Sequence, residues 1–129
     1  MPRLRQELLQ RVSEDQRIRN ELIKKGIDHP DQALLDQMKR IDATNTARIR
    51  VIIKRYGWPG PELIGRDGTD AFFLLAQHAD PAFQKKVLPL VQKAYRRGIL
   101  TGQNYALFTD RCAGRERQAA NIWDVGQAI

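Results

Sequence analysis

The chain has one cysteine and two histidines, and only 7% of its 129 residues are aromatic. The single Cys112 excludes an intramolecular disulfide and suits a reducing compartment. His29 and His78 lie far apart, and no H-x-x-x-H, C-x-x-C or dense carboxylate motif is present. The sequence therefore predicts no metal site and no cofactor. Glycine-rich phosphate loops and dinucleotide fingerprints are also missing. No apolar run reaches the roughly 18–20 residues needed to cross a bilayer. The amino-terminal stretch Met1-Pro2-Arg3-Leu4-Arg5-Gln6-Glu7 is charged where a signal peptide would be apolar. A cytoplasmic protein with no membrane association is the expectation.

The net charge of +7 raises the question of nucleic acid. However, the basic pairs Lys24-Lys25, Lys39-Arg40, Lys54-Arg55, Lys85-Lys86 and Arg96-Arg97 are spread along the chain. Several fall near predicted helix C-termini, where cations offset the helix dipole. No aromatic-rich basic stretch offers bases a stacking platform, which argues against a nucleic-acid partner. Nothing in the sequence sets an oligomeric state.

What is present is a succession of helical patterns, with 42% hydrophobic residues in a length suited to one core. A first helix is predicted from about Arg3 to Lys25, ending at Gly26. A turn at Ile27-Asp28-His29-Pro30 leads into a second helix that runs to Tyr56 and ends at Gly57. Trp58-Pro59-Gly60-Pro61 reads as a loop, because its prolines and glycine break a helix. A third helix is predicted to start near Thr69 or Asp70, capped by Asp67-Gly68-Thr69; apolar residues cover every side of it, so it should be the buried central element. Asp80-Pro81 opens a fourth helix with Phe83, Val87, Leu90, Val91 and Ala94 on its inner face, and Pro89 inside it. A fifth begins near Thr101 and carries Tyr105, Phe108 and Cys112 on one face. No strand pattern is visible. The expected fold is all-α, a single compact domain over residues 1–129, with about five helices and a weakly periodic tail from 114 to 129.

Three of these helices interrupt their core-facing stripe with a polar group. At about 100° per residue, Asp15 and Arg19 fall among Leu4, Leu8, Val12, Leu22 and Ile23. Asn45 sits amid Leu34, Met38, Ile41, Ile49, Ile52 and Tyr56. The apolar run Ala71-Phe72-Phe73-Leu74-Leu75-Ala76 leads into Gln77-His78. Burying such groups unpaired costs roughly 1–3 kcal/mol each, and more for charges. Convergence on one polar site follows as the expectation.

His78 is the first candidate for acid–base chemistry, since imidazoles titrate near neutrality. Gln77, Asp42 or Asp110 could orient it; otherwise it is a core histidine satisfied by hydrogen bonds. Asp15 and Arg19 are spaced i,i+4 in the favourable order. They form either a structural ion pair or an oriented guanidinium that holds a carboxylate or phosphate. Arg111 is a second anion-binding candidate. Asn45 is an amide clamp between helices or a hydrogen-bonding group for substrate, and Asp42, one turn earlier, reaches the same space. Trp58 caps a pocket or plugs the core. Cys112, on an apolar stripe, reads as a small hydrophobe rather than a nucleophile.

The elements Asp15-Gln16-x-x-Arg19, Ile41-Asp42-x-x-Asn45, Tyr56-Gly57-Trp58-Pro59, Gln77-His78-Ala79-Asp80 and Thr109-Asp110-Arg111 keep an order and spacing that resembles a bacterial family of unknown function. The resemblance covers most of the chain. It departs at the carboxy-terminus, where Gln118 is followed by Ala119-Ala120-Asn121-Ile122-Trp123 and the family's Tyr-Gly-Thr-Gln signature is missing. The resemblance implies no activity. From the residues themselves, the expected function is a small cofactor-independent enzyme using acid–base chemistry on a small anionic substrate, by hydrolysis, elimination, isomerisation or cyclisation. Its catalytic groups would be His78, Asp42 and Asp110, with Asp15, Arg19, Asn45, Trp58, Gln77 and Arg111 binding the substrate. The alternative is a non-catalytic ligand-binding or protein-interaction module whose polar network is structural.

Overall fold

Helix start and stop signals account for most of the architecture. In the computed structural model, which describes residues 1–26 and 28–117, the elements are α1 (Pro2–Lys25), α2 (Gln32–Tyr56), α3 (Pro61–Gln77), α4 (Pro81–Arg96) and α5 (Gly102–Arg117). Among the described residues there is no strand, and the fold is all-α. Residues 118–129 of the expected tail, Gln118 included, and Ile27 of the expected turn lie outside the described residues.

Asp31 caps α2, its carboxylate accepting from the backbone N–H groups of Ala33 and Leu34 at 2.9 and 3.2 Å. Asp80 caps α4 by accepting from Phe83 N–H at 2.9 Å. These are the usual means of satisfying helix-start donors. Gly57 ends α2 at φ 72°, a conformation that L side chains adopt poorly. Lysines and arginines occupy the last turns of α1, α2 and α4, as the charge pattern predicts.

The third helix begins eight or so residues earlier than the sequence reading places it. Pro61 occupies the first turn, where its missing N–H costs nothing. The expected loop Trp58-Pro59-Gly60-Pro61 therefore falls at residues 57–60, and Pro61 belongs to the helix. The run is interrupted at Gly65, whose φ of 75° and ψ of 165° break the helical path. Beyond that break Asp67 accepts from the Gly68 N–H at 2.8 Å, close to the expected cap. Nine residues of α3 are buried, which makes it the central helix. Trp58 is a plug of the core: its ring meets Phe72 edge-on, with centroids 4.9 Å apart.

The hairpin of α1 and α2 is antiparallel, as the pairings Glu7–Arg48, Arg11–Asn45 and Arg19–Asp42 show. Apolar burial along it falls into two clusters. Leu4, Leu8, Ile49 and Ile52 join the main core with α3, α4 and α5. Ile18, Leu22 and Met38 form a smaller one near the turn. Asp15 on α1 and Asp42 and Asn45 on α2 fall between them along the chain, and Arg19 stands beside Ile18 at the start of the smaller one.

Core and caps should separate in stability measurements. Phe72→Ala, which removes a fully buried ring from the central helix, is expected to cost about 3–5 kcal/mol in urea unfolding. Asp31→Ala, which removes the cap and an exposed ion pair with Lys25, is expected to cost about 1 kcal/mol.

Candidate functional site

One buried guanidinium organises the polar layer. On α1, Asp15 and Arg19 lie one turn apart, 0% and 1% exposed. Arg19 Nη1 donates to Asp15 Oδ1, and its Nη1 and Nη2 donate to Asp42 of α2 at 3.2 and 3.0 Å. The second oxygen of Asp15 accepts from Gln16 Nε2 at 3.1 Å and pairs with His78 Nδ1 at 2.9 Å. Three helices thus meet at two carboxylates, one guanidinium and one imidazole.

His78 is brought there by the end of α3. It forms the C-cap, its backbone N–H donating to Leu74 and Leu75 carbonyls. Gln84, fully buried on α4, donates from Nε2 to the Ala76 and Gln77 carbonyls at 3.2 and 2.7 Å. This clamps the last turn of α3 against α4 and satisfies carbonyls that a helix end leaves open.

The two carboxylates are in unlike environments. Burial pushes the Asp15 carboxyl up, but the hydrogen bond and charge of His78, with the charge of Arg19, outweigh it and hold Asp15 below the usual carboxylate range. For Asp42 burial prevails over Arg19, and the nearby Asp15 charge adds to it, so the Asp42 carboxyl titrates above its ordinary value. Asp15 is therefore the committed anion of the pair, and Asp42 is the one that more readily takes up a proton.

His78 and Asp42 also line a cavity of about 210 Å³, together with Met38, Thr46 and Pro81. With the ionised Asp15 accepting at Nδ1, that nitrogen carries the ring proton in the neutral imidazole and Nε2 carries the lone pair. His78 Nε2 makes no hydrogen bond among the described residues. One ligand atom each from Asp15, Asp42 and His78 lie within 4.8 Å of one another, close enough to surround a metal ion. Arg19, however, already donates to both carboxylates, and Asp15 already engages His78. An ion would have to displace a guanidinium whose charge the carboxylates balance, so the trio fits an ion-pair network better than a metal centre.

The other sequence candidates are distributed around this network. Arg111 on α5 is partly buried, and its Nη1 has no acceptor. Burial and the charge of Arg19 both press its pKa downward. Asp110 is exposed on α5, and the carboxylate at His78 Nδ1 is that of Asp15. Gln77 is buried with its side-chain oxygen unpaired. Trp58 lines neither this cavity nor its rim, being part of the core. Asn45 is buried and takes Arg11 Nη1 on its Oδ1 at 3.0 Å, facing a separate groove between α1 and α2. Gln84 and Thr46 belong to this region without being candidates from the sequence. Gln84 had a signal, a polar residue between Phe83 and Val87 on an apolar face, whereas Thr46 had none.

Removing Asp15 should expose the dependence on this network. Asp15→Ala leaves a buried guanidinium short of a partner and is expected to cost about 3–5 kcal/mol near neutral pH. Because Asp15 titrates below its unfolded value, its contribution is complete above about pH 4 and is lost as the pH falls through its folded-state pKa. The stability gap between wild type and Asp15→Ala in denaturant titrations should therefore be widest near pH 7 and close in acid.

No curated protein and no solved structure matches the chain. Among the described residues no helix is long and apolar enough to cross a membrane. One family model matches residues 2–126, nearly the whole length, and the chain belongs to that family, the family of unknown function DUF6624.

Proposed function

We propose that this protein is a small cofactor-independent enzyme that moves protons on a small anionic substrate, with His78 as general base and Asp42 as general acid. The observation that carries the reading is that His78 and Asp42 line one cavity while Asp15 holds the far nitrogen of His78. A carboxylate behind an imidazole keeps the ring in the tautomer that can accept a proton and stabilises the imidazolium that results. The cavity is smaller than the roughly 300–1,000 Å³ of drug-sized sites, which limits the substrate to a small molecule.

The chemistry that suits a base and an acid across one cavity is a proton shift. His78 Nε2 takes a proton from one substrate atom, Asp42 gives one to another, and the electron pair moves between them as in an isomerisation or an elimination. Arg19 serves both groups, fixing Asp15 behind the base and orienting Asp42. For an anionic substrate the cavity offers the cation Lys39 in its lining, whereas the unpaired donors Arg19 Nε and Arg111 Nη1 lie outside that lining.

The competing reading, a non-catalytic module, draws on the completeness of the Asp15 network, in which every carboxylate oxygen already has a partner. The two separate by experiment. The wild-type protein is incubated with pools of small organic acids and the pools compared by mass spectrometry. Conversion of one acid is expected for the wild type, with His78→Gln, whose amide can still donate to Asp15, losing at least a hundredfold in rate while remaining folded by circular dichroism. Since Asp42 acts as an acid, the rate should fall as pH rises through its raised pKa, and Asp42→Asn should lose that limb. A converted acid that His78→Gln turns over at the wild-type rate would remove His78 from catalysis.

A further inference from the structure

A second concavity uses residues of α2 that the His78 cavity does not. Between α1 and α2 a groove of about 700 Å³ is lined by Glu7, Arg11 and Glu14 from one helix and Arg40, Thr44 and Asn45 from the other. Asn45 is only 4% exposed, and its Nδ2 has no acceptor. Its orientation is set by chemistry: Arg11 can only donate, so the amide oxygen must face it, which leaves the NH₂ group as the unspent end. Asn45 thus lines the groove with a buried amide donor that lacks the partner such groups ordinarily have.

The charges around the groove select the sign of that partner. Glu7 accepts from Arg11 and Arg48 at 2.8 and 2.7 Å, and Arg48 chiefly holds it below the usual carboxylate range. Glu14 is paired with Arg17 at 2.6 Å. Both carboxylates are thus already neutralised, whereas the Arg40 guanidinium makes no hydrogen bond or ion pair among the described residues. A cationic ligand would have to break existing pairs, while an anionic one finds Arg40 uncommitted.

We propose that the groove between α1 and α2 is a second binding site, for a small polar anion that presents a carbonyl or carboxylate oxygen to Asn45 and its negative charge to Arg40. The site is independent of the acid–base reading. On α2, Asp42 and Thr46 face the His78 cavity, while Ile41, Thr44 and Asn45 face the groove. Its volume lies within the range of small-molecule sites, room for more than an inorganic ion.

N-acetylglycine, which joins an amide carbonyl to a carboxylate, is a suitable probe for the full chain in solution. Its titration should shift the Asn45 side-chain amide resonances to saturation. Arg40→Gln, a change at an exposed position that should leave the fold intact by circular dichroism, should weaken binding at least tenfold. N-acetylglycinamide, which lacks the charge, should bind the wild type at least tenfold more weakly. His78→Gln should bind N-acetylglycine with unchanged affinity. Asn45 resonances that stay still throughout the titration, or an Arg40→Gln protein that binds as tightly as wild type, would overturn the proposal. If His78→Gln alone abolishes binding, the probe occupies the other cavity; the groove site then fails while the acid–base reading stands.

Discussion

The structure turns on the burial of Arg19. A guanidinium taken out of water is tolerated only when carboxylates and hydrogen bonds replace its hydration. Asp15, one turn before it, and Asp42, across the hairpin, supply both. Such a network adds little net stability compared with well-packed apolar side chains, but it is expensive to break once made. Its effect here is to specify register. α1 and α2 can pair in only one alignment that places Arg19 between its two acids, and that alignment sets the apolar clusters on either side.

The proposed chemistry rests on what the network leaves to the cavity. Asp15 is spent inside, whereas Asp42 is shared between Arg19 and a cavity, and His78 offers that cavity the nitrogen Asp15 does not use. The same packing aims the other edge of α2 at the α1 groove, where Asn45 and Arg11 meet. One helix therefore serves two concavities, with Ile41, Thr44 and Asn45 lining one and Asp42 and Thr46 the other. Gln84 completes the arrangement from α4 by fixing the helix end from which His78 projects.

Much of this was visible as interruptions in helical stripes. Asp15, Arg19 and Asn45 stand at core-facing positions of amphipathic patterns, Gln77 and His78 close an apolar run, and all five are buried. Partnership was less legible. Asp42 and Asp110 were the carboxylates considered for His78, yet Asp15, 63 positions away, occupies Nδ1. Asp110 shares a motif with Arg111, but the turn of α5 puts it in solvent. Trp58 stands in a segment rich in proline and glycine, which suits a lid as well as a plug; the neighbouring Phe72 decides for the plug.

The sequence by itself determined that this chain is helical, where most of its helices start and stop, and which polar residues must be buried. These follow from periodicity, capping and proline geometry, which act over a few residues. Only the tertiary structure decided that α3 begins at Pro61 and breaks at Gly65, and that Asp15 rather than Asp110 backs His78. It also assigned Asp42 and Asn45, three residues apart on one helix, to different concavities. The reason is that a stripe fixes the side of a helix that is buried but not the partner it meets, and partners are chosen by the packing of helices distant in sequence.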